Sequence, residues 1–174
     1  MAPRYTLARR LALVLLKDAK VKKPPVPIEE LAILLKAKIR YEPFDGQLYG
    51  MVHRNSNGTA VIGVNSMDAP NRQRFTIAHE IGHLLLHKND DLHVDERSPI
   101  GLRNDRSSMA VDEKEIEANQ FAAELIMPAE FLDRDIRRLP DDIEAEEAVT
   151  RLAQKYQVSE QAMTIRLSAL KVLA

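Results

Sequence analysis

Cysteine and tryptophan are both missing from the 174 residues, and aromatic side chains amount to only 5%. Without cysteine there is no disulfide scaffold, thiolate metal site, iron–sulfur cluster or cysteine nucleophile, and the composition suits a reducing compartment. So few rings make a stacking platform for single-stranded nucleic acid a poor reading. Long apolar runs are lacking too. The N-terminal one, Leu11 to Leu16, is bracketed by Arg9-Arg10 and Lys17-Asp18. It falls far short of the ~20 residues that cross a bilayer, and no small-residue cleavage site follows it. The expectation is a cytoplasmic protein without a membrane segment.

What is present is the mix of a globular domain, 45% apolar and 29% charged. At this length folding takes roughly 70% of the unfolded chain's surface out of water, enough for a core without staples. The net charge of −1 hides an asymmetry: residues 1–40 carry ten Lys/Arg against three Asp/Glu, residues 90–147 seven against eighteen. Either end could dock a charged partner, although solvated helix faces account for such runs more often.

Periodicity predicts a helix over residues 7–19, with Leu7, Leu11, Leu15 and Ala19 on one stripe. Pro24, Pro25 and Pro27 break it, and Pro27 opens a second helix from Ile28 to Lys36. Three strands are expected next, Ile39–Phe44, Leu48–Arg54 and Thr59–Asn65. Turn signals separate them at Asp45-Gly46 and Asn55-Ser56-Asn57-Gly58. These should form a small antiparallel sheet. Asn71 to His87 reads as a helix apolar over most of its circumference, hence central. Residues 88–111 read as a long polar loop. Further helices are expected at about 112–127, ending at Pro128, and over 129–138, with a short acidic spacer before two closing helices.

The informative segment is His79-Glu80-Ile81-Gly82-His83. Four-residue spacing on a helix sets His79 and His83 one turn apart on one face, where both imidazoles can reach one metal ion. Glu80 projects to the side of that ion, in position to take a proton from a water the metal activates. Five histidines and fourteen glutamates scattered at random would produce this pattern in roughly one such chain in a hundred.

Two imidazoles leave a tetrahedral site short of a protein ligand. The extended pattern with a third downstream histidine fails, because Leu86 stands where its glycine would be and Asn89 where its histidine would be. His87 continues the four-residue spacing, but three such ligands on one helix span about 12 Å, too far for a single ion. It is expected near the helix end, half exposed. Glu115 and Asn119, four apart on the following helix, suit a ligating carboxylate and an acceptor that fixes an imidazole tautomer. Ile116, Ala122, Ala123 and Ile126 would pack in the core behind them. Spacing alone leaves Glu113 and Glu117 as competitors.

Arg74-Phe75-Thr76-Ile77-Ala78-His79-Glu80-Ile81-Gly82-His83-Leu84-Leu85-Leu86-His87, followed by Glu115-Ile116-Glu117-Ala118-Asn119-Gln120-Phe121-Ala122-Ala123-Glu124-Leu125-Ile126-Met127-Pro128, resembles the ImmA/IrrE family of metallopeptidases over most of residues 25–170. The resemblance implies an α+β, mainly helical, zincin-like domain over 1–145 and a helix-turn-helix-like pair over 146–174 packed on it. It implies zinc held by His79, His83 and Glu115 in the gluzincin manner, with Glu80 catalytic and Asn119 supporting. Manganese or iron would suit the same nitrogen and carboxylate donors. Members cleave helix-turn-helix repressors in mobile elements and stress responses, or stand beside such regulators in toxin–antitoxin-like pairs. A regulatory endopeptidase acting on a repressor or antitoxin is therefore the implied function. A metal-bearing interaction module for such a regulator, with little peptidase activity, is the competing reading, and Glu80 discriminates the two because a structural site does not need it.

Within the closing pair, Ser159 is a natural N-cap, and Leu152, Val158, Ala162, Ile165 and Leu167 are the apolar positions. A DNA reader would use Gln161, Thr164 and Arg166, but Glu160 and the upstream acidic spacer oppose phosphate, so DNA binding is not favoured. A peptide substrate could add to an exposed sheet edge, with Val61–Asn65 the expected strand. Tyr49, His53 and His93 are the polar groups that could reach a developing oxyanion.

Overall fold

Two alanines set how closely the first helix packs. In the computed structural model, which describes residues 4–44, 48–88, 90–96 and 105–171 (without the side chains of 95, 96 and 105–112), α1 (Tyr5–Asp18) fully buries Ala8 and Ala12 together with Leu15 and Leu16. Their small side chains let α1 lie along α4 (Asp105–Ile126). The leucines at 7 and 11 are only partly buried at the margin of that contact. The prolines end α1, and α2 (Ile28–Leu34) starts directly after Pro27, burying Ile28, Leu31 and Ala32.

Among the described residues the sheet has four strands: β1 (Ala37–Glu42), β2 (Leu48–Arg54), β3 (Ala60–Asn65) and β4 (Leu92–Glu96), in the order β1-β3-β2-β4. The sequence-based expectation of three antiparallel strands needs correction on two points. β1 runs parallel to β3, with Ile39 opposite Ile62, and a fourth strand, β4, pairs antiparallel with β2. The Asn55–Gly58 signal does form a hairpin turn between β2 and β3. Gly58 adopts φ +80° and donates to Asn55 O at 3.0 Å, and Asn57 Oδ1 accepts from Thr59. The Asp45-Gly46 signal lies outside the described residues. β3, buried at five of its six positions, is an interior strand and offers no edge to a peptide, which overturns its expected role in substrate addition. Its apolar run is the pattern of a strand covered on both faces.

α3 (Pro70–Leu86) crosses the sheet, and ten of its residues, from Thr76 to Leu86, are buried. Ile77, Ala78 and Ile81 meet Ile62 and Val64 from the sheet and Phe121 and Leu125 from α4 in one core. The expected polar loop over 88–111 is also corrected. β4 occupies Leu92–Glu96, and α4 begins at Asp105, about two turns before the sequence suggests. Extending an existing helix costs far less than nucleating one, so poor local signal at Ser107-Ser108 does not stop it.

α5 (Ala129–Ile136), α6 (Ala145–Tyr156) and α7 (Glu160–Ala169) complete the chain. Gln157, at φ 55°, turns the chain after α6, and Ser159 Oγ accepts from Ala162 N at 3.1 Å to cap α7. Buried Asp135 joins α5 to α6 by accepting from Tyr156 Oη at 3.0 Å and Lys155 Nζ at 2.9 Å. Arg166 is buried, paired with Glu124 and donating to Met127 O, so the basic side chain offered for DNA contact is spent inside the fold. Ile165, expected inward, is exposed, and Met163 is buried instead. Among the described residues no helix is long and apolar enough to cross a membrane.

Candidate metal centre

The centre is built where α3 and α4 cross. Gly82 sits at the crossing: a Cβ there would lie 3.2 Å from the Cα of Ala118 and 3.3 Å from its carbonyl oxygen. The glycine between the two histidines and the alanine between Glu115 and Asn119 thus let the backbones approach and carry the polar side chains to one point.

There, His79 Nε2 and His83 Nε2 are 3.0 Å apart. Glu115 Oε2 lies 3.2 Å from His79 Nε2, and Oε1 lies 3.5 Å from His83 Nε2. His93 Nε2, from β4, is 3.3 Å from Glu115 Oε1. One donor atom from each of His79, His83, His93 and Glu115 falls within 4.8 Å of the others. A tetrahedral ion with bonds of about 2.0–2.1 Å separates its donors by about 3.3 Å, so the spacing fits a divalent metal. The chemistry fits as well. Glu115 Oε1 is buried and, among the described residues, makes no hydrogen bond, as an atom facing a metal ion would. Burial pushes the His83 imidazole down to about 3, outweighing the pull of Glu115, so its nitrogen lone pair is free. Burial would raise Glu115, but the adjoining His79 and His83 imidazoles override it and hold the carboxyl well below the usual range. Neutral imidazole beside carboxylate is the donor set such an ion takes.

Asn119 Oδ1 lies 3.1 Å from His79 Nδ1, on the ring's far side from the cluster. Glu80 is fully buried, with Oε1 against β2 at Gly50, where a Cβ would lie 2.9 Å from it. The competitors of Glu115 are placed differently. Glu117 is buried and bound by Arg4, whose Nη2 reaches Oε2 at 2.7 Å, and Glu113 is not in the donor group. His87 caps the end of α3 at 7% exposure, not half exposed, with Nε2 3.3 Å from Lys114 O; Glu117 and the end of α4's first half enclose it. Ile116, expected in the core, is 39% exposed. It lines a cavity of about 630 Å³ between α3, α4 and α7, bordered by Phe75, Asn119, Ala162 and Ile165. None of the four clustered residues lines it, so its size marks no chemistry.

Of the three groups weighed for an oxyanion, only His93 joins the cluster. Tyr49 lies under the Arg72 guanidinium at 3.9 Å, and His53 is on the exposed side of β2. Arg54 went unnoticed in the sequence. From β2 it donates to His83 O at 3.2 Å, to Leu84 O and to Asp90 O at 3.1 Å, placing a cation at the C-terminus of α3, where carbonyls lack helical partners. No local pattern flags a residue that acts across 29 positions; its position near the end of a strand before a turn was the only trace.

The IrrE N-terminal-like domain model matches residues 34–168. The chain is 39% identical over 99 residues to the radiation response metalloprotease IrrE of Deinococcus deserti, covering 57% of this chain and 32% of that protein. To the protein of the same name from Deinococcus radiodurans it is 41% identical over 78 residues, covering 42% of this chain and 22% of the relative. The chain therefore spans a third or less of the length of these curated relatives. A Mycobacterium tuberculosis transcriptional regulator shares the fold, with a TM-score of 0.59 and 16% identity over 92% of this chain and 46% of that one. With the domain match extending over most of its length and both motif blocks inside it, the chain belongs to the ImmA/IrrE family of metallopeptidases.

Proposed function

We propose that the chain is a zinc-dependent endopeptidase that cuts a small set of protein targets, with a helix-turn-helix repressor as the substrate class. The observation that carries the peptidase reading is the convergence of two imidazoles and a carboxylate, with the buried acid Glu80 next to His79 in the sequence. The substrate class rests on the family resemblance. His79, His83 and Glu115 would hold the ion; manganese or iron fits the same donors. A bound zinc ion supplies Lewis acidity for the water and for the scissile carbonyl.

The chain's own residues do the remaining work. By accepting from Nδ1–H of His79, Asn119 leaves the Nε2 lone pair toward the cluster and fixes the ring plane. Glu80 accepts the proton of the attacking water and later delivers it to the departing amine nitrogen. Its side chain is fully buried against β2. Of the two edge strands among the described residues, β1 and β4, only β4 carries a member of the cluster, so an extended peptide added to β4 would pass the site.

The test separates peptidase from interaction module. Glu80→Gln should retain one metal per chain and lose cleavage, whereas Glu115→Ala should lose the metal. Unchanged cleavage by Glu80→Gln would reject the mechanism, and full metal in Glu115→Ala would reject the third ligand.

A further inference from the structure

We infer that His93 is a catalytic hydrogen-bond donor and not a fourth metal ligand: its Nε2–H serves the scissile carbonyl oxygen as negative charge develops there. This rests on the peptidase reading above and assigns the group that reading leaves open.

The ring geometry separates the two roles. Imidazoles bound through Nε2 to one tetrahedral ion splay apart, with centroids about 5 Å from each other. His79 and His83 satisfy this, at 4.7 Å with planes inclined by 62°. His93 does not. It lies nearly parallel to His83, inclined by 16°, with centroids only 3.5 Å apart. Two stacked rings cannot both direct a nitrogen at one ion at a tetrahedral angle. Stacking instead sets the His93 ring alongside that of His83, with its Nε2 3.3 Å from Glu115 Oε1.

Its placement is specific. Strand alternation turns Leu92 and Val94 outward, at 52% and 38% exposure, and turns His93 inward to a side-chain exposure of 14%. Nε2 is buried and, although 3.3 Å from Glu115 Oε1, makes no hydrogen bond among the described residues. A buried N–H held outside hydrogen-bond geometry is unfavourable, and an acceptor on a bound peptide would satisfy it. β4 is an edge strand, so a peptide paired to it would present carbonyls alongside His93.

The reaction balances without moving the His93 proton. As the water oxygen bonds to the carbonyl carbon, its proton passes to Glu80 and the carbonyl π pair moves onto oxygen, which accepts from His93 Nε2–H. When the C–N bond breaks, that pair returns to the carbon–oxygen bond. The amine nitrogen leaves with the proton from Glu80.

The experiment compares wild type, His93→Ala and His93→Gln, each loaded with zinc or cobalt(II). It uses a quenched-fluorescence peptide pool and a phosphonamidate peptide, whose tetrahedral phosphorus oxygens imitate the charged carbonyl. We expect one metal per chain and the same visible cobalt spectrum in all three. In His93→Ala, kcat should fall about 100- to 1000-fold with KM little changed, as for loss of one oxyanion donor, and phosphonamidate affinity should fall in parallel. His93→Gln, with an amide N–H, should recover part of both. An altered cobalt spectrum or lost metal in His93→Ala would make His93 a ligand and overturn the inference. So would unchanged kcat and phosphonamidate affinity. If the loaded wild type neither cleaves the pool nor binds the phosphonamidate, the peptidase reading itself falls, and the assignment to His93 with it.

Discussion

Gly82 and Ala118 meet backbone to backbone: a Cβ on Gly82 would press within 3.2 Å of the Ala118 Cα. The contact fixes the separation of the helices carrying His79, His83 and Glu115. Gly82→Ala gains about 1 kcal/mol of helix propensity but forces α4 outward, an overpacking cost of about 1–3 kcal/mol. Stability should therefore fall by about 0–2 kcal/mol, while zinc affinity falls by about tenfold or more, as when a ligand loses its orientation. Competition with a chromophoric chelator measures the affinity and thermal melting the stability. Unaltered affinity would show that the crossing does not set the donor spacing.

Gly50 holds the equivalent place between β2 and the acid. A Cβ there would lie 2.4 Å from Thr76 Cγ2 and 2.9 Å from Glu80 Oε1. Gly50→Ala should destabilise the fold by about 1–3 kcal/mol and displace the Glu80 carboxylate, with a loss in kcat of about 100-fold and metal content unchanged. Adding Thr76→Ser removes the methyl and should restore stability but not turnover. Recovery of both together would mean that the Glu80 contact is immaterial.

Spacing along a single helix was legible in the sequence because geometry within a helix is local: His79 and His83, and separately Glu115 and Asn119, follow from the 3.6-residue repeat. The crossing that unites them was written in Gly82 and Ala118, but as small residues, whose meaning appears only beside their partner. Strand pairing was not legible. Turn residues at Asp45-Gly46 suggested a hairpin, whereas β1 pairs with β3, a choice made by burial on both faces of Ala60–Asn65. β4 escaped notice because an edge strand of five residues, Leu92–Glu96, alternates too briefly to stand out from polar surroundings. With β4 hidden, nothing could rank His93 above Tyr49 and His53.

Arg4 ties the start of α1 to α4 next to the centre, with Nε and Nη2 on Glu117 and the backbone N–H on Oε1 at 2.7 Å. The family match begins at residue 34, so this clamp comes from outside it. Arg4→Ala leaves the Glu117 carboxylate buried, with His87 Nε2 3.8 Å away. Removing one partner of a fully buried pair costs about 3–5 kcal/mol. Arg4 is 44% exposed, and solvent screening reduces the expectation to about 1–2 kcal/mol. Urea unfolding checks it, and Arg4→Ala/Glu117→Gln should recover most of the loss. A double variant no more stable than the single one would show that the charge left behind is not the cause.

Asp135 gives the fold an acid limit. Burial favours its neutral form, but hydrogen bonds from Lys155 and Tyr156 and the Lys155 charge outweigh that and hold its carboxyl below the ordinary value. A carboxyl lowered on folding binds its proton more readily in the unfolded chain. Its contribution is therefore complete above the ordinary aspartate value of about 3.9 and disappears as pH falls through the lower folded value. Asp135→Asn keeps an acceptor for Tyr156 Oη and removes the charge. It should cost about 1–3 kcal/mol at pH 7, and the gap from wild type should narrow steadily below about pH 4. Urea midpoints from pH 7 to pH 2.5 measure that gap. A gap that stays constant across the range would show that lost packing, and not the carboxylate charge, is what the variant removes.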